Sequence, residues 1–158
     1  ECTFCAECVG GDLGGVCPNC DGELSARPRR AAGAGQSFTV QPVLPVRDVR
    51  ASLAFYLGKL GFEGIFLDDP DQPRYAGIRR GGAEIHLQWH DSSEWVRVER
   101  ASLRFQVGSP DALCAEWIAR NALPADLLPR ETAWGTREFG LYDPDGNALH
   151  FYQTLPAE

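Results

Sequence analysis

The feature that most constrains the fold of this chain is an internal repeat. Gly82-Ala-Glu-Ile-His-Leu and Gly146-Asn-Ala-Leu-His-Phe lie 64 positions apart and share the order glycine, two variable residues, an aliphatic residue, histidine and an apolar residue. Two candidate helix caps, Asp48 and Ser109, lie 61 positions apart. A unit of about sixty residues buries too little surface to be stable alone. The sequence therefore predicts two similar units that pack together.

Each unit has the pattern of a strand, a helix and further strands. The first helix follows the Asp48 cap and ends at Gly61, and the second begins at Ser109-Pro110. Strands are predicted at 38–46, 62–67, 75–79 and 83–89 in the first unit, and at 103–107, 137–142 and 148–153 in the second. This order predicts an α+β fold in which two βαβββ modules form a curved mixed sheet around a cleft.

The repeat also predicts which side chains meet in that cleft. Gln41 and Ser102 occupy equivalent positions on the opening strands of the two units, and His86 and His150 occupy equivalent positions on later strands. Repeat-related residues on similarly placed strands point to the same side of a shared sheet. We therefore expect these four residues to line the cleft.

Five of the six cysteines lie within the first twenty residues, at Cys2, Cys5, Cys8, Cys17 and Cys20. A Cys-x-x-Cys turn aims two thiolates at one ion, and two such turns complete a tetrahedral Zn²⁺ shell. Metal ligation would supply the folding energy that so short a segment cannot obtain from apolar burial. Five clustered cysteines cannot all pair within the segment, which disfavours disulfides. We expect structural zinc there.

Charge indicates which partners the chain can bind, and composition marks the segments into which it is divided. The formal net charge of −7 argues against nucleic acid and favours cationic partners. No apolar run approaches the roughly 18 residues of a membrane span, and no signal-peptide pattern is present. We expect a cytoplasmic protein with a Cys-rich zinc module at 1–24, a small basic linker at 25–37 and a main domain at 38–158.

The cysteine spacing of the N-terminal segment resembles a small Cys-rich bacterial family of unknown function. That family has further cysteines upstream and a two-zinc, cross-braced arrangement similar to RING modules. The resemblance implies that this chain begins partway into the module. In a cross-braced order, Cys5 and Cys8 would pair with upstream thiols, while Cys2 would join Cys17 and Cys20. The alternative is a single site made by Cys5, Cys8, Cys17 and Cys20.

Several motifs of the main domain carry a second resemblance. They are Pro45-Val-Arg-Asp, Phe55-Tyr56, Leu60-Gly-Phe, Ala76-Gly-Ile-Arg-Arg-Gly, Trp134-Gly-Thr-Arg-Glu-Phe and Asp143-Pro-Asp-Gly-Asn. Together they resemble the vicinal-oxygen-chelate superfamily, which includes glyoxalase I, extradiol dioxygenases, and fosfomycin- and bleomycin-resistance proteins. The Arg-Arg-Gly and Trp-Gly-Thr-Arg-Glu-Phe motifs and the two strand histidines are most similar to the bleomycin-resistance branch.

This resemblance also bears on catalysis. Metal-dependent members place ligands at positions matching Gln41, His86, Ser102 and His150. Here serine is a poor ligand and no carboxylate completes the set. The resemblance to the bleomycin-resistance branch implies a cleft without metal, so we expect no catalytic residues and no cleft cofactor. The alternative is a divalent-metal-dependent, glyoxalase-like lyase or isomerase, or a dioxygenase, that uses Gln41, His86 and His150.

Trp134 is the strongest candidate for ligand contact. It precedes a strand in a glycine-flanked loop, and it matches the position whose ring stacks on the antibiotic's heterocyclic tail in the bleomycin-resistance family. Tyr56, Phe55 and Trp89 are further candidates that fit a core position equally well, and Trp117 is predicted to be core.

These observations predict a non-catalytic antibiotic-resistance protein. The resemblance to the bleomycin-resistance branch implies a homodimer, which would sequester a cationic, aromatic, glycopeptide-like ligand in clefts at the subunit interface. A third hypothesis is a small-molecule sensor in which the Cys-rich segment is an interaction module.

Overall fold

The computed structural model describes residues 14–17 and 39–156. The chain forms two compact units, Glu1–Thr39 and Val40–Glu158. In the first unit Cys17 is buried. The other four predicted zinc ligands, Cys2, Cys5, Cys8 and Cys20, lie outside the described residues, as does the whole of the predicted linker.

Module 1 is the first half of the second unit. Its strands are β1 (Val43–Val46), β2 (Glu63–Leu67), β3 (Tyr75–Arg80) and β4 (Ala83–Trp89). Helix α1 (Val49–Leu53) continues into a π-helical segment, Ala54–Lys59. The Asp48 carboxylate caps α1 by accepting a hydrogen bond from the Ala51 backbone N–H at 3.0 Å. The predicted cap and strands are therefore present.

Module 2 repeats this arrangement. Its elements are β5 (Ser102–Gln106), α3 (Pro110–Ala119), β6 (Arg130–Glu131), β7 (Thr136–Tyr142) and β8 (Ala148–Thr154), and a short helix α2 (Ser92–Trp95) precedes them. The strand orders β1-β4-β3-β2 and β5-β8-β7-β6 are equivalent, with the first pair parallel and the others antiparallel. The predicted fold class is confirmed: two βαβββ modules, each with a four-stranded mixed sheet.

The first strand is shorter than predicted. The prediction placed it at 38–46, whereas β1 begins at Val43. Pro42 cannot donate a backbone hydrogen bond, and its carbonyl accepts one from the His86 N–H at 2.9 Å. Pairing with β4 therefore starts at this proline. The sequence also gave no indication of α2 or β6, which are too short to show a periodic pattern.

The two modules share one hydrophobic core. Its fully buried members include Leu44, Ile78, Ile85 and Leu87 from module 1 and Trp117 and Leu149 from module 2. The Trp117 indole N–H donates to the Leu60 carbonyl of the other module at 3.1 Å. The prediction that Trp117 is core is confirmed. No helix in the part of the chain described here is long and apolar enough to cross a membrane.

A polar joint at the Asp143–Asn147 turn links the modules a second time. The Tyr56 hydroxyl donates to Asp143 at 2.9 Å, and the Asn147 amide donates both to Asp143 at 2.8 Å and to the Pro45 carbonyl at 3.0 Å. Burial, reinforced by the neighbouring Asp143 carboxylate, raises the pKa of Tyr56 well above its usual value. The motif therefore holds the two modules together as well as turning the chain.

Candidate ligand-binding site

Each sheet has one face against the core and one face directed away from it. In β4, Ile85 and Leu87 are fully buried, whereas Glu84 and His86 alternate with them and remain partly exposed. We call the outward face of module 1 the first open face, and it carries Val43, Phe66, Tyr75, Glu84 and His86. The outward face of module 2, the second open face, carries Arg104, Glu138, Gly140, Tyr142 and His150.

His86 is the centre of the first open face. Its Nδ1 lies 2.9 Å from the Tyr75 hydroxyl, and its Nε2 lies 3.0 Å from Glu84 Oε1. The Phe66 ring meets the imidazole edge to face with centroids 5.2 Å apart, and it stacks on Tyr75 at 6.0 Å. The structure thus places Phe66 and Tyr75 beside the imidazole, with the Glu84 carboxylate at its other ring nitrogen.

Glycine 77 makes room for this cluster. Gly77 is paired with His86 across β3 and β4. A Cβ atom at position 77 would lie 2.7 Å from Cδ1 of the Phe66 ring, which is closer than real contacts allow. The absence of a side chain there lets Phe66 lie flat over the sheet.

Gln41 joins the same cluster from the segment before β1. Its Nε2 donates to Glu84 Oε1 at 3.1 Å, so Glu84 connects Gln41 with His86. Sequence reasoning missed Glu84, Tyr75 and Phe66. Glu84 could have been found, because it lies two positions before His86 in a strand and shares its face. Tyr75 and Phe66 could not, because their approach depends on strand pairing.

The second open face repeats the glycine–histidine pair with different neighbours. Gly140 pairs with His150 across β7 and β8. His150 and Glu138 border a pocket of about 250 Å³. Glu138 Oε2 accepts hydrogen bonds from Arg104 and from the Thr136 hydroxyl, both at 3.0 Å. This carboxylate is therefore neutralised within the protein.

The other predicted residue of module 2 lies on the strand beside this pocket. Ser102 is exposed at the start of β5, opposite Ala148 of β8. Gln41 and His86 belong to one open face, while Ser102 and His150 belong to module 2. The structure therefore joins Gln41 and His86 in one hydrogen-bonded group through Glu84, whereas Ser102 pairs with Ala148, two positions before His150.

Trp134 lies at the tip of the β6–β7 hairpin. The Gly135 N–H donates to the Thr132 carbonyl at 3.2 Å, and Gly135 has a φ of 76°, which favours glycine at this turn. The Trp134 side chain is 65% exposed. An indole presented on a tight turn in this way is available for stacking.

One predicted site residue is buried in the core, and two others pack against the core. Tyr56 is fully buried in the core and its hydroxyl is used by Asp143, so the prediction that it lines a cleft is wrong. Phe55 is half-buried and meets Tyr56 edge to face at 5.4 Å. Trp89 is half-buried at the end of β4 beneath the Arg74 guanidinium. Phe55 and Trp89 pack against the core because they continue its apolar surface.

The predicted metal positions do not form a donor set. Both ring nitrogens of His86 already serve hydrogen bonds, to Tyr75 and to Glu84. A neutral imidazole binds a metal through a nitrogen lone pair, and in His86 neither nitrogen directs one to open space. Among the residues described here, no three His, Cys, Asp or Glu side chains are grouped to hold a metal ion.

A larger cavity of about 700 Å³ lies away from these residues. It follows β5 and α3 and is bordered by Phe105, Leu113, Trp117 and Phe151, with the Arg80–Glu116 ion pair at 2.7 Å. No residue predicted to bind the ligand borders it. It shares Arg104 with the second open face.

Comparison with known proteins places this chain in a family. Residues 39–151 match the model of the Glyoxalase/Bleomycin resistance protein/Dioxygenase superfamily. The chain belongs to this superfamily. Residues 1–30 match a family described as a protein of unknown function, DUF1272. Both resemblances seen in the sequence motifs are thereby confirmed.

Individual relatives match two different parts of the chain. The chain is 28% identical over 130 residues to the bleomycin resistance proteins of Geobacillus stearothermophilus and Staphylococcus aureus, a match that covers 72% of this chain and 95% of each relative. The N-terminal segment is 66% identical over 32 residues to an uncharacterised protein of Rhizobium meliloti, covering 20% of this chain and 38% of that one.

Solved structures agree with this superfamily assignment. The bleomycin-binding protein from bleomycin-producing Streptomyces verticillus, complexed with copper(II)-bleomycin, is 31% identical with a TM-score of 0.61, over 78% of this chain and 99% of that one. The bleomycin resistance determinant encoded on the transposon Tn5 has a TM-score of 0.63 at 22% identity, over 75% and 98% of the two chains, and shows the shared fold.

Proposed function

We propose that this protein binds a cationic, aromatic, glycopeptide-like antibiotic of the bleomycin type and sequesters it in the cytoplasm without changing it chemically. The observation that carries the proposal is the first open face, where Phe66 and Tyr75 pack against His86 and His86 lies 3.0 Å from the Glu84 carboxylate. Aromatic rings bind planar groups by stacking, and a carboxylate on the same face favours a cation. Relatives at 28% and 31% identity are named bleomycin resistance and bleomycin-binding proteins.

A homodimer would complete the site. Val43, Phe66, Trp134 and Tyr142 are large apolar or aromatic side chains that are between 41% and 74% exposed. Exposed patches of this kind are typical of interfaces or ligand grooves. We propose that two copies enclose their open faces as two clefts, with Trp134 stacking on the ligand. Sedimentation equilibrium tests the dimer, and a purely monomeric protein contradicts it.

The Trp134 contribution has a direct test. Isothermal titration of bleomycin should show saturable binding to the wild type, about 30-fold weaker binding to Trp134→Ala, and a smaller loss in Trp134→Phe, because an interface aromatic commonly contributes this much. Trp95→Ala is the control, since that indole packs between the Arg47 and Arg100 guanidinium groups. Absent binding to the wild type, or equal binding to Trp134→Ala, contradicts the proposal.

We also propose that the Cys-rich segment binds structural zinc. Thiolates in two Cys-x-x-Cys pairs are the donor set that Zn²⁺ prefers, and Cys17 is buried. Metal quantitation on the whole chain and on residues 38–158 tests this. Zinc in the whole chain alone supports the proposal. A stoichiometric divalent metal in residues 38–158 would instead favour the glyoxalase-like alternative, and a binding partner captured only with the Cys-rich segment would favour the sensor.

A further inference from the structure

The Glu84 carboxylate is held from one side only. Its Oε1 accepts hydrogen bonds from Gln41 Nε2 at 3.1 Å and from His86 Nε2 at 3.0 Å. Its Oε2 accepts none from any residue in the described ranges 14–17 and 39–156. The Glu84 side chain is 32% exposed, so Oε2 is presented on the first open face. One oxygen orients the group and the other is available.

A directed chain of hydrogen bonds fixes this orientation. An ionised carboxylate can only accept, so His86 Nε2 carries the proton that Glu84 receives. In the neutral imidazole, Nδ1 is then an acceptor, and the Tyr75 hydroxyl donates to it at 2.9 Å. Tyr75 and His86 therefore hold the carboxylate in one geometry.

The charges around Glu84 leave an excess of one negative charge. Arg79 lies opposite Glu84 in the β3–β4 register, but its guanidinium is 3.7 Å from Glu63 Oε2. Two carboxylates and one guanidinium thus lie on this face, and the guanidinium is paired with Glu63. Glu138 on the second open face differs, because Arg104 lies 3.0 Å from it. Of the two faces, the first is the one that can compensate an incoming cation.

The aromatic neighbours favour the same class of ligand. Phe66 and Tyr75 lie nearly parallel, with an interplanar angle of 26°, beside the imidazole that holds Glu84. These rings offer a stacking surface to a planar group, and the Glu84 carboxylate at the other nitrogen of His86 offers a negative charge to a cationic group of the same ligand. The site therefore combines a planar apolar surface with one fixed negative oxygen.

We propose that Glu84 is a specificity-determining residue that recognises a cationic group of the ligand through Oε2, and that His86 and Gln41 are positioning residues for its carboxylate. This inference rests on the proposed antibiotic-binding function. It assigns charge selectivity to a residue outside the predicted site and separates it from the stacking role of Trp134.

Two ligands that share an aromatic system test the proposal. Bleomycin A2 carries a cationic terminal group, and bleomycinic acid carries a carboxylate in its place. Isothermal titration should show that the wild type binds bleomycin A2 more tightly than bleomycinic acid. Glu84→Gln should reduce this ratio of affinities, the preference, about tenfold, because one charged contact is lost. His86→Phe should reduce it less, with no change for bleomycinic acid. Glu99→Gln, which removes one exposed charge elsewhere, should leave the preference unchanged.

The possible results distinguish recognition by Glu84 from antibiotic binding itself. A preference that disappears in Glu84→Gln and persists in Glu99→Gln supports Glu84 recognition. Equal wild-type affinity for both ligands, or an unchanged preference in Glu84→Gln, overturns the inference and leaves antibiotic binding intact. Failure of the wild type to bind either ligand overturns both. The urea midpoint of each variant confirms that it is folded, and Glu84→Asp, which keeps the charge, should retain part of the preference.

Discussion

The two open faces of this molecule have the same backbone plan and different chemistry. Each places a glycine opposite a histidine on neighbouring strands, Gly77 with His86 and Gly140 with His150. On the first face the histidine contacts the Phe66 ring and holds the Glu84 carboxylate. On the second face the nearby carboxylate, Glu138, is already matched by Arg104. Glu84 on the first face can therefore meet a cationic group, whereas Glu138 on the second face forms an ion pair within the protein.

This difference shows how a repeated fold acquires an asymmetric binding surface. The repeat supplies strands, caps and the glycine–histidine pair twice. Side chains at the variable positions of the motif, such as Glu84 against Ala148, and side chains on neighbouring strands then give the two faces different charge. A ligand with one planar end and one charged group would therefore distinguish the two faces, even though their backbones are equivalent.

The largest difference between the two faces should appear when alanine replaces each of the two paired glycines in turn. Gly77→Ala should push the Phe66 ring off the sheet and weaken bleomycin binding about tenfold, because a stacking surface is lost. Phe66 is 41% exposed and can turn outward, so the free energy of unfolding should fall by less than about 2 kcal/mol.

Gly140→Ala is the matched control for that change. A Cβ at position 140 would lie 3.1 Å from His150 Nδ1, a tight contact that a small shift relieves. Binding measured by calorimetry should change by less than about threefold, since no stacking ring is displaced. Equal losses of affinity in the two variants would show that the faces do not differ as described.

An effect on stability with little effect on binding is expected at the polar joint that links the two modules. Tyr56→Phe should lower the free energy of unfolding by about 1–3 kcal/mol at neutral pH, because the hydrogen bond to the buried Asp143 is lost. Bleomycin affinity should stay close to the wild-type value, since Tyr56 is not on either open face. Urea denaturation and calorimetry measure the two quantities.

The same variant carries a pH dependence. The native state keeps the Tyr56 proton because its pKa is raised, whereas an unfolded tyrosine loses its proton near pH 10. The contribution of Tyr56 is therefore complete below about pH 10 and declines as the pH rises above it. The stability difference between wild type and Tyr56→Phe should shrink above pH 10. A difference that stays constant would contradict the raised pKa.

The fold could be predicted from the sequence more completely than the site. Helix caps such as Asp48 and Ser109, the repeat offset and strand patterning are local signals, and they survive in the structure. The cluster around His86 depends on the pairing of β2, β3 and β4, which brings together residues up to twenty positions apart. Tyr56 was misplaced because an aromatic residue on a helix stripe looks the same whether it faces a core or a cleft.

Binding of the ligand without chemical change is the property on which the proposed function depends. A calorimetric titration of the intact wild-type chain with bleomycin, followed by mass spectrometry of the recovered drug, measures both parts of this property. We expect saturation at one ligand per chain and recovery of the drug with unchanged mass. Absence of saturable binding, or a drug whose mass has changed by turnover, would overturn the proposed function.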